Sequence, residues 1–311
     1  MISNPLNHAE TPCQDAPDVQ EELSPGLKML KQYPLLPAFA SQYTITEELG
    51  AGGFGFVVGA IHRPSNIKVA VKFLFKNKIP RSQLVVDAVM GCIPREAYIL
   101  DKVNHPGIVK FLDLFQDQCF YYMVMELHGD PWAAYPSTRK CRDLFESIEK
   151  AGTFNELQTA HILYQLLNIL MYLQSVNVYH RDIKDENIVI DSKLTIKLVD
   201  FGCAVVTPTR RACTFQHFFG TASYASPEIL KGEVYRADLA DVWAMGVLVH
   251  MMVTGVSPFQ TPEEVMESSY TPPPSCSPAL AHLLQGMLNP SPLHRLSFRD
   301  IKNHPFFAHL C

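Results

Sequence analysis

The strongest constraint on this chain is one octapeptide, His180-Arg181-Asp182-Ile183-Lys184-Asp185-Glu186-Asn187. It sets a carboxylate, an amine and an amide in one short polar segment between apolar runs. Thirteen residues after Asn187 comes Asp200-Phe201-Gly202, just past a strand pattern. A carboxylate such as Asp182 can orient a hydroxyl and accept its proton. Asn187 and Asp200 offer hard oxygen donors of the kind Mg²⁺ takes. Either piece alone could be a polar loop, so the order of the remaining signals matters.

Upstream lies Leu49-Gly50-Ala51-Gly52-Gly53-Phe54-Gly55-Phe56-Val57. Glycines let backbone N–H groups come close to phosphate oxygens. A strand pattern follows this loop, not a helix, so it is not the dinucleotide fingerprint. One hairpin later, Val69-Ala70-Val71-Lys72 puts a lysine on an apolar strand, within reach of the same phosphates. A carboxylate must hold that lysine, and Glu96, Glu47 and Asp87 are the candidates. At about 5% background per residue type, a dozen such matches in fixed order arise by chance on the order of 10⁻¹⁶ per alignment.

Composition narrows the surroundings. The 311 residues are 47% hydrophobic and 18% charged, and mean hydropathy is +0.03. That suits a folded chain with a sizeable core and excludes mostly disordered and multispan membrane classes. Residues 1–27 hold five acids and no Lys or Arg, so the formal charge of −5 comes from this tail and the remainder is balanced. Bulk charge therefore gives no reason to expect nucleic-acid or membrane binding. Eight cysteines without a CxxC pair suggest reduced thiols and no zinc site. The start lacks a signal-peptide pattern, which leads to a cytoplasmic or nuclear expectation, with a monomer as the simplest state.

Residues 1–42 read as an acidic, mostly disordered tail, with Pro34 and Pro37 late in it. Strand patterns follow at Tyr43–Leu49, Phe56–His62, Lys68–Phe75, Ile108–Phe115 and Phe120–Leu127, with one helix over Pro94–Val103. Helical spacing dominates afterwards, over Arg142–Lys150, Thr159–Val176, Asp238–Thr254 and Pro278–Leu288. The expected fold is α+β and bilobed. A small β-rich lobe with one main helix (43–127) precedes a larger α-helical lobe (128–309), with a ligand crevice between them.

Together these motifs resemble the eukaryotic protein kinases, from about Tyr43 to His309. Ser226-Pro227-Glu228 stands where that family usually has Ala-Pro-Glu. Asp241, Trp243 and Gly246 match its buried support helix, and Arg295 the arginine that pairs with Glu228. HRDIKDENIVI, IKLVDFG and MVMELHG are most similar to the PAS and Pim kinases, near the calmodulin-dependent branch. Only 42 residues precede the matching region and few follow it, so neither a PAS sensor nor a calmodulin-binding tail is expected.

The resemblance implies transfer of the ATP γ-phosphoryl, with Mg²⁺, to Ser or Thr hydroxyls of protein substrates. Asp182 would be the base, Lys184 would neutralise the moving phosphoryl, and Asn187 and Asp200 would hold Mg²⁺. Lys72, clamped by Glu96, would position phosphates beneath Leu49–Val57. Adenine would sit against Val57 and Ala70 and bond to the backbone of Glu126 and His128, with Met125 as gatekeeper and Asp143 against the ribose. Asp185 and Glu186 favour basic substrates, whereas Met251 stands where many such kinases carry an acid. His217 occupies the usual phosphothreonine position, so the segment is expected to be active unphosphorylated, with Thr207, Thr209 or Thr214 as rival sites. A pseudokinase scaffold is the alternative. A small-molecule phosphotransferase would lack the Gly220–Glu228 segment.

Overall fold

The computed structural model describes residues 24–129, 143–208, 214–267 and 270–308. Two short helices, α1 (Pro25–Gln32) and α2 (Pro37–Ala40), lead into β1 (Tyr43–Gly52), β2 (Gly55–His62) and β3 (Ile67–Phe75). A hairpin of β4 (Leu84–Asp87) and β5 (Gly91–Pro94) precedes α3 (Arg95–Lys102), and β6 (Phe111–Gln116) and β7 (Phe120–Glu126) complete the first lobe. The second lobe begins with α4 (Leu144–Ala151), α5 (Glu156–Ser175), β8 (Val178–Tyr179), β9 (Ile188–Ile190) and β10 (Ile196–Leu198). It continues through β11 (Val205–Val206), β12 (Thr214–Phe215), α6 (Pro227–Leu230), β13 (Tyr235–Arg236) and α7 (Ala237–Thr254). It ends with α8 (Pro262–Glu267), α9 (Pro278–Met287) and α10 (Phe298–Lys302). This is the expected small β-rich lobe followed by a helical one.

The first lobe is an antiparallel sheet of order β1-β2-β3-β7-β6. Its register pairs Val57 with Lys72, Lys72 with Met123, and Ala70 with Met125. Paired residues share a face, so all five point toward the second lobe. Their neighbours Phe56, Val58, Val71, Phe73, Tyr122 and Val124 point the other way and form a separate apolar cluster. This corrects one expectation. The Phe56 ring stacks on Phe73 at 5.3 Å, so Phe56 offers the crevice only its backbone.

A second correction concerns the amino-terminal segment. Residues 1–23 lie outside the described residues, but from Ser24 the chain is ordered against the sheet. Phe39 is fully buried, with its ring 5.1 Å from Tyr43, 6.0 Å from Phe73, 5.6 Å from Phe115 and 5.1 Å from Tyr122. The outer sheet face is aromatic, and the two helices remove it from water. Pro37, one of the two prolines that mark this segment in the sequence, starts α2, and Pro25 starts α1, positions where a missing N–H costs nothing.

In the second lobe α7 is the central core helix. It is long and apolar enough to cross a membrane, but 78% of it is buried inside the fold. The expected Glu228–Arg295 pair is formed, with both guanidinium–carboxylate contacts at 2.8 Å. Arg295 also donates to Leu239 O at 2.9 Å and lies 5.1 Å from the Trp243 ring centroid. Helix α5 starts at Glu156, earlier than its apolar spacing suggests, because Asn155 and Gln158 form a capping box. The start of the Arg142–Lys150 helix lies partly outside the described residues.

Phe39→Ala should lower unfolding free energy by about 3–5 kcal/mol, the usual cost of emptying an aromatic core site. Denaturant unfolding checks this, with the exposed Gln32→Ala as a control that should change it by under about 0.5 kcal/mol.

Candidate active site

Lys72 is where the two lobes meet electrically. Its Nζ lies 2.7 and 2.9 Å from the two Glu96 carboxylate oxygens and 2.9 Å from Asp200 Oδ1. Glu96 enters from the first turn of α3, whose inner residues Ala97, Ile99 and Leu100 pack into the core of the second lobe. Of the other two sequence candidates, Glu47 lies on β1 and does not contact Lys72, and Asp87 accepts from Val89 N and Met90 N in the β4–β5 turn. Burial pushes the Lys72 amine down, but Glu96 and Asp200 outweigh it and the amine is raised above its ordinary value. Lys72 in turn draws the Asp200 carboxyl down to about 2. Asp200 therefore stays ionised. Its backbone is left-handed, φ 57°, and its side chain accepts from Gly202 N at 3.2 Å. Such strain in a non-glycine residue persists only where the surroundings enforce it.

The octapeptide is held just as firmly. Asp182 Oδ1 accepts from Thr221 N and Thr221 Oγ1, both at 2.8 Å. Asn187 Nδ2 donates to Asp182 O at 2.8 Å and to Asp182 Oδ2 at 3.1 Å, which leaves the amide oxygen for a cation. Lys184 pairs with Glu186 at 2.5 Å. His180 is fully buried beneath the loop. Its Nε2 donates to Val199 O at 3.0 Å, and its ring meets Phe201 edge-on at 4.8 Å. Burial holds this imidazole below its ordinary pKa.

The glycine loop fits a phosphate chain. At Gly50, Gly52 and Gly53 an added Cβ would meet nothing within 4 Å. Gly55 differs. A Cβ there would lie 1.9 Å from Phe73 O, so this glycine serves β2–β3 packing. Ala51 and Phe54 are exposed at the tip, and Leu49 is half-buried. Val57, Ala70 and Met125 line the crevice side of the sheet. Glu126 and His128 can contribute only backbone groups. The Glu126 carboxylate is fastened to Lys197 Nζ and Lys110 N, both at 2.7 Å, and His128 Nε2 bonds Thr195 O at 3.0 Å. Asp143 caps α4 by accepting from Glu146 N at 2.7 Å. Burial, with Glu146, Asp185 and Glu186 nearby, pushes its carboxyl up to about 6. The segment from Asp130 to Cys141 lies outside the described residues.

No group of three or more His, Cys, Asp or Glu side chains suited to a metal occurs among the described residues. One carboxylate and one amide still suit Mg²⁺, which keeps water and substrate phosphate ligands. Two residues have roles that the sequence does not display. Thr221, within the Gly220–Glu228 segment, holds Asp182. Lys197 fastens the segment linking the lobes, and a lysine in a three-residue strand carries no signal of its partner.

A crevice with these parts belongs to an enzyme class that moves phosphoryl groups from nucleoside triphosphates. Residues 43–307 match the protein kinase domain, and the chain belongs to that family. It is 37% identical over 265 residues to a mouse PAS domain-containing serine/threonine-protein kinase, covering 85% of this chain and 18% of that protein. It is 32% identical over 268 residues to serine/threonine-protein kinase PSK1 of Saccharomyces cerevisiae, covering 85% and 19%. An Aurora kinase of Dictyostelium discoideum is 33% identical over 270 residues, covering 85% and 65%. The chain thus spans under a fifth of the length of the first two.

His180 gives this site a pH signature. The unfolded imidazole binds a proton near pH 6.5, while the buried one resists it. Its contribution is therefore full above about pH 6.5 and is lost as pH falls below that. Unfolding free energy measured from pH 7 to 5 should decline less steeply in His180→Gln than in the parent protein.

Proposed function

We propose that this chain transfers the γ-phosphoryl of Mg-ATP to Ser or Thr hydroxyls of protein substrates, and does so without phosphate on its own activation segment. The observation that carries the reading is Lys72 in simultaneous contact with Glu96 and Asp200, while Asp182 is aimed by Thr221 and Asn187. A pseudokinase scaffold has no need of all these charges in working positions at once.

Each residue has a part. Lys72 binds the α- and β-phosphates, and Gly50–Gly53 cover them with open backbone. Asp182 orients the substrate hydroxyl and takes its proton as the oxygen attacks phosphorus. Lys184 offsets charge on the phosphoryl in flight. Asn187 and Asp200 would hold Mg²⁺, which when bound neutralises charge on the phosphate oxygens. Donors fixed in advance cost no reorganisation at the moment of reaction, and each is worth about 3–4 kcal/mol.

Arg181 supports independence from phosphorylation. In many relatives this arginine pairs with a phosphothreonine at the position of His217. Here its Nη2 donates to His217 O at 2.7 Å and to Tyr235 OH at 3.2 Å. Its guanidinium lies 4.5 Å from the Phe215 ring centroid and 5.3 Å from that of Phe219. A carbonyl, a phenol and two ring faces thus hold this arginine without a phosphate, although its buried Nε has no partner among the described residues. The rival site Thr207 is buried, with its hydroxyl donating to Asn177 O at 3.3 Å. Thr214 is exposed on β12, and Thr209 lies outside the described residues.

Glu186, 55% exposed beside Asp182 in sequence, favours a basic substrate segment, whereas Asp185, expected to share that role, is buried at 3% exposure. Met251 adds no charge there; its sulfur accepts from Tyr224 OH at 3.3 Å.

Phosphatase-treated protein should phosphorylate a library of basic Ser/Thr peptides in the presence of Mg²⁺. Asp182→Asn should lose about 10²–10⁴-fold in rate while binding ATP within twofold of the parent, measured by calorimetry. Activity abolished by the phosphatase would overturn the independence, and equal transfer by both proteins would overturn the role of Asp182.

A further inference from the structure

Residues 24–42 lie outside the stretch that matches the kinase family. They nevertheless make specific contact with the glycine loop. At the start of α1, Ser24 Oγ and Gly26 N both donate to Glu48 Oε2, the second at 2.9 Å. Glu48 immediately precedes the loop. It sits between two irregularities in the β1–β2 ladder, one between Ile45 and Glu48 and the other between Glu48 and Gly50. Such bulges re-aim a side chain out of the regular alternation, and here the redirected carboxylate meets the helix.

Gly26 makes the approach possible. A Cβ at this position would lie 2.5 Å from Glu48 Oε2 and 2.8 Å from Phe56 Cδ2. Phe56 is on the returning strand of the same loop. Helix α1 therefore touches both stems, Glu48 on β1 and Phe56 on β2. The other end of the segment is anchored independently. The Tyr33 ring stands edge-on to Phe120 at 5.0 Å, and Leu30 and Phe39 are buried in the outer cluster.

We propose that α1 braces the glycine-rich loop, and that Glu48 is the positioning residue through which this amino-terminal segment sets affinity for ATP. The inference rests on the kinase reading above. The physical reason is the looseness of the loop itself. Gly50, Gly52 and Gly53 are exposed with open space where a side chain would sit, Phe54 is 47% exposed, and the tip is held by the β1–β2 pairing and by Lys78 Nζ on Gly53 O at 3.2 Å. Glycine backbone loses more freedom than any other on being fixed, and a ligand that must order its own site binds less tightly. Stems held from outside reduce that ordering cost. The brace reaches neither Asp182 nor Thr221, so it should act on nucleotide binding and leave the chemical step alone.

The test uses the full chain and steady-state kinetics with ATP and a Ser/Thr peptide. Glu48→Ala should raise KM for ATP about 3–10-fold, with kcat and KM for the peptide unchanged. Glu48→Gln keeps an acceptor for Gly26 N and should recover most of the loss. Gly26→Ala should repeat the effect of Glu48→Ala, and the double variant should be no worse than either single one, because both break one contact. KM for ATP within twofold of the parent in both single variants would overturn the proposal. So would a loss confined to kcat that follows thermal stability. Hydrogen exchange of amides 50–57 separates this from failure of the kinase reading. If the parent neither binds ATP nor transfers phosphate, faster exchange in Glu48→Ala and Gly26→Ala still supports the brace, and unchanged exchange overturns it.

Discussion

The ion cluster of Lys72, Glu96 and Asp200 is the interaction on which the rest of the arrangement depends. Its members come from β3, α3 and the segment after β10, which are distant in sequence. Glu96 is 6% exposed and Lys72 16%, so the charges have given up much of their hydration. That loss is tolerable only when the partners are present and well aligned, and removing one from such a buried pair costs about 3–5 kcal/mol. The lobes are therefore held in one relative position by electrostatics as well as packing. Helix α3 carries both, because its charged first turn faces Lys72 while its apolar residues join the core of the second lobe.

From that cluster the constraint passes along the chain to the octapeptide. Asp200 is held in a left-handed conformation, and Arg181 in another, with φ 68°. The strain is balanced by hydrogen bonds and rings that the protein itself supplies. His180 fixes Val199, which precedes Asp200, while Phe201 packs on His180. Arg181 reaches across to the segment around His217 and to Tyr235, and Thr221 returns from the same stretch to Asp182. Neutral groups engage Arg181 through Nη2 and its ring contacts while its Nε has no partner among the described residues, and this engagement without an added phosphate is the physical basis for proposing activity without modification.

Much of the site was legible because its chemistry demands rare residues at fixed spacing. Asp182, Asn187, Asp200, Lys72 and the glycines could be read directly, and Glu96 once family order was admitted. Legibility failed where a role depends on which way a side chain turns. Phe56 belongs to the loop in sequence and to the outer aromatic cluster in space. Gly55 looks like a phosphate glycine, yet the Phe73 carbonyl excludes a Cβ there. The α1–α2 segment was read as disordered because its sequence is proline-rich and follows an acidic run. Its order comes from burial against an aromatic sheet face that no local pattern reveals. The paired two-residue strands β8–β11 and β12–β13 are too short for any periodicity.

The amino-acid sequence by itself determined the two-lobed plan, the motif order and the identity of the groups around the crevice. These follow from local periodicity and from covalent spacing, which a single chain displays in full. Tertiary structure alone decided that Asp200 also meets Lys72, what engages Arg181, and that Ser24 and Gly26 reach Glu48. Those contacts join residues distant along the chain, and their strength comes from exclusion of water, a condition that exists only once the lobes have packed.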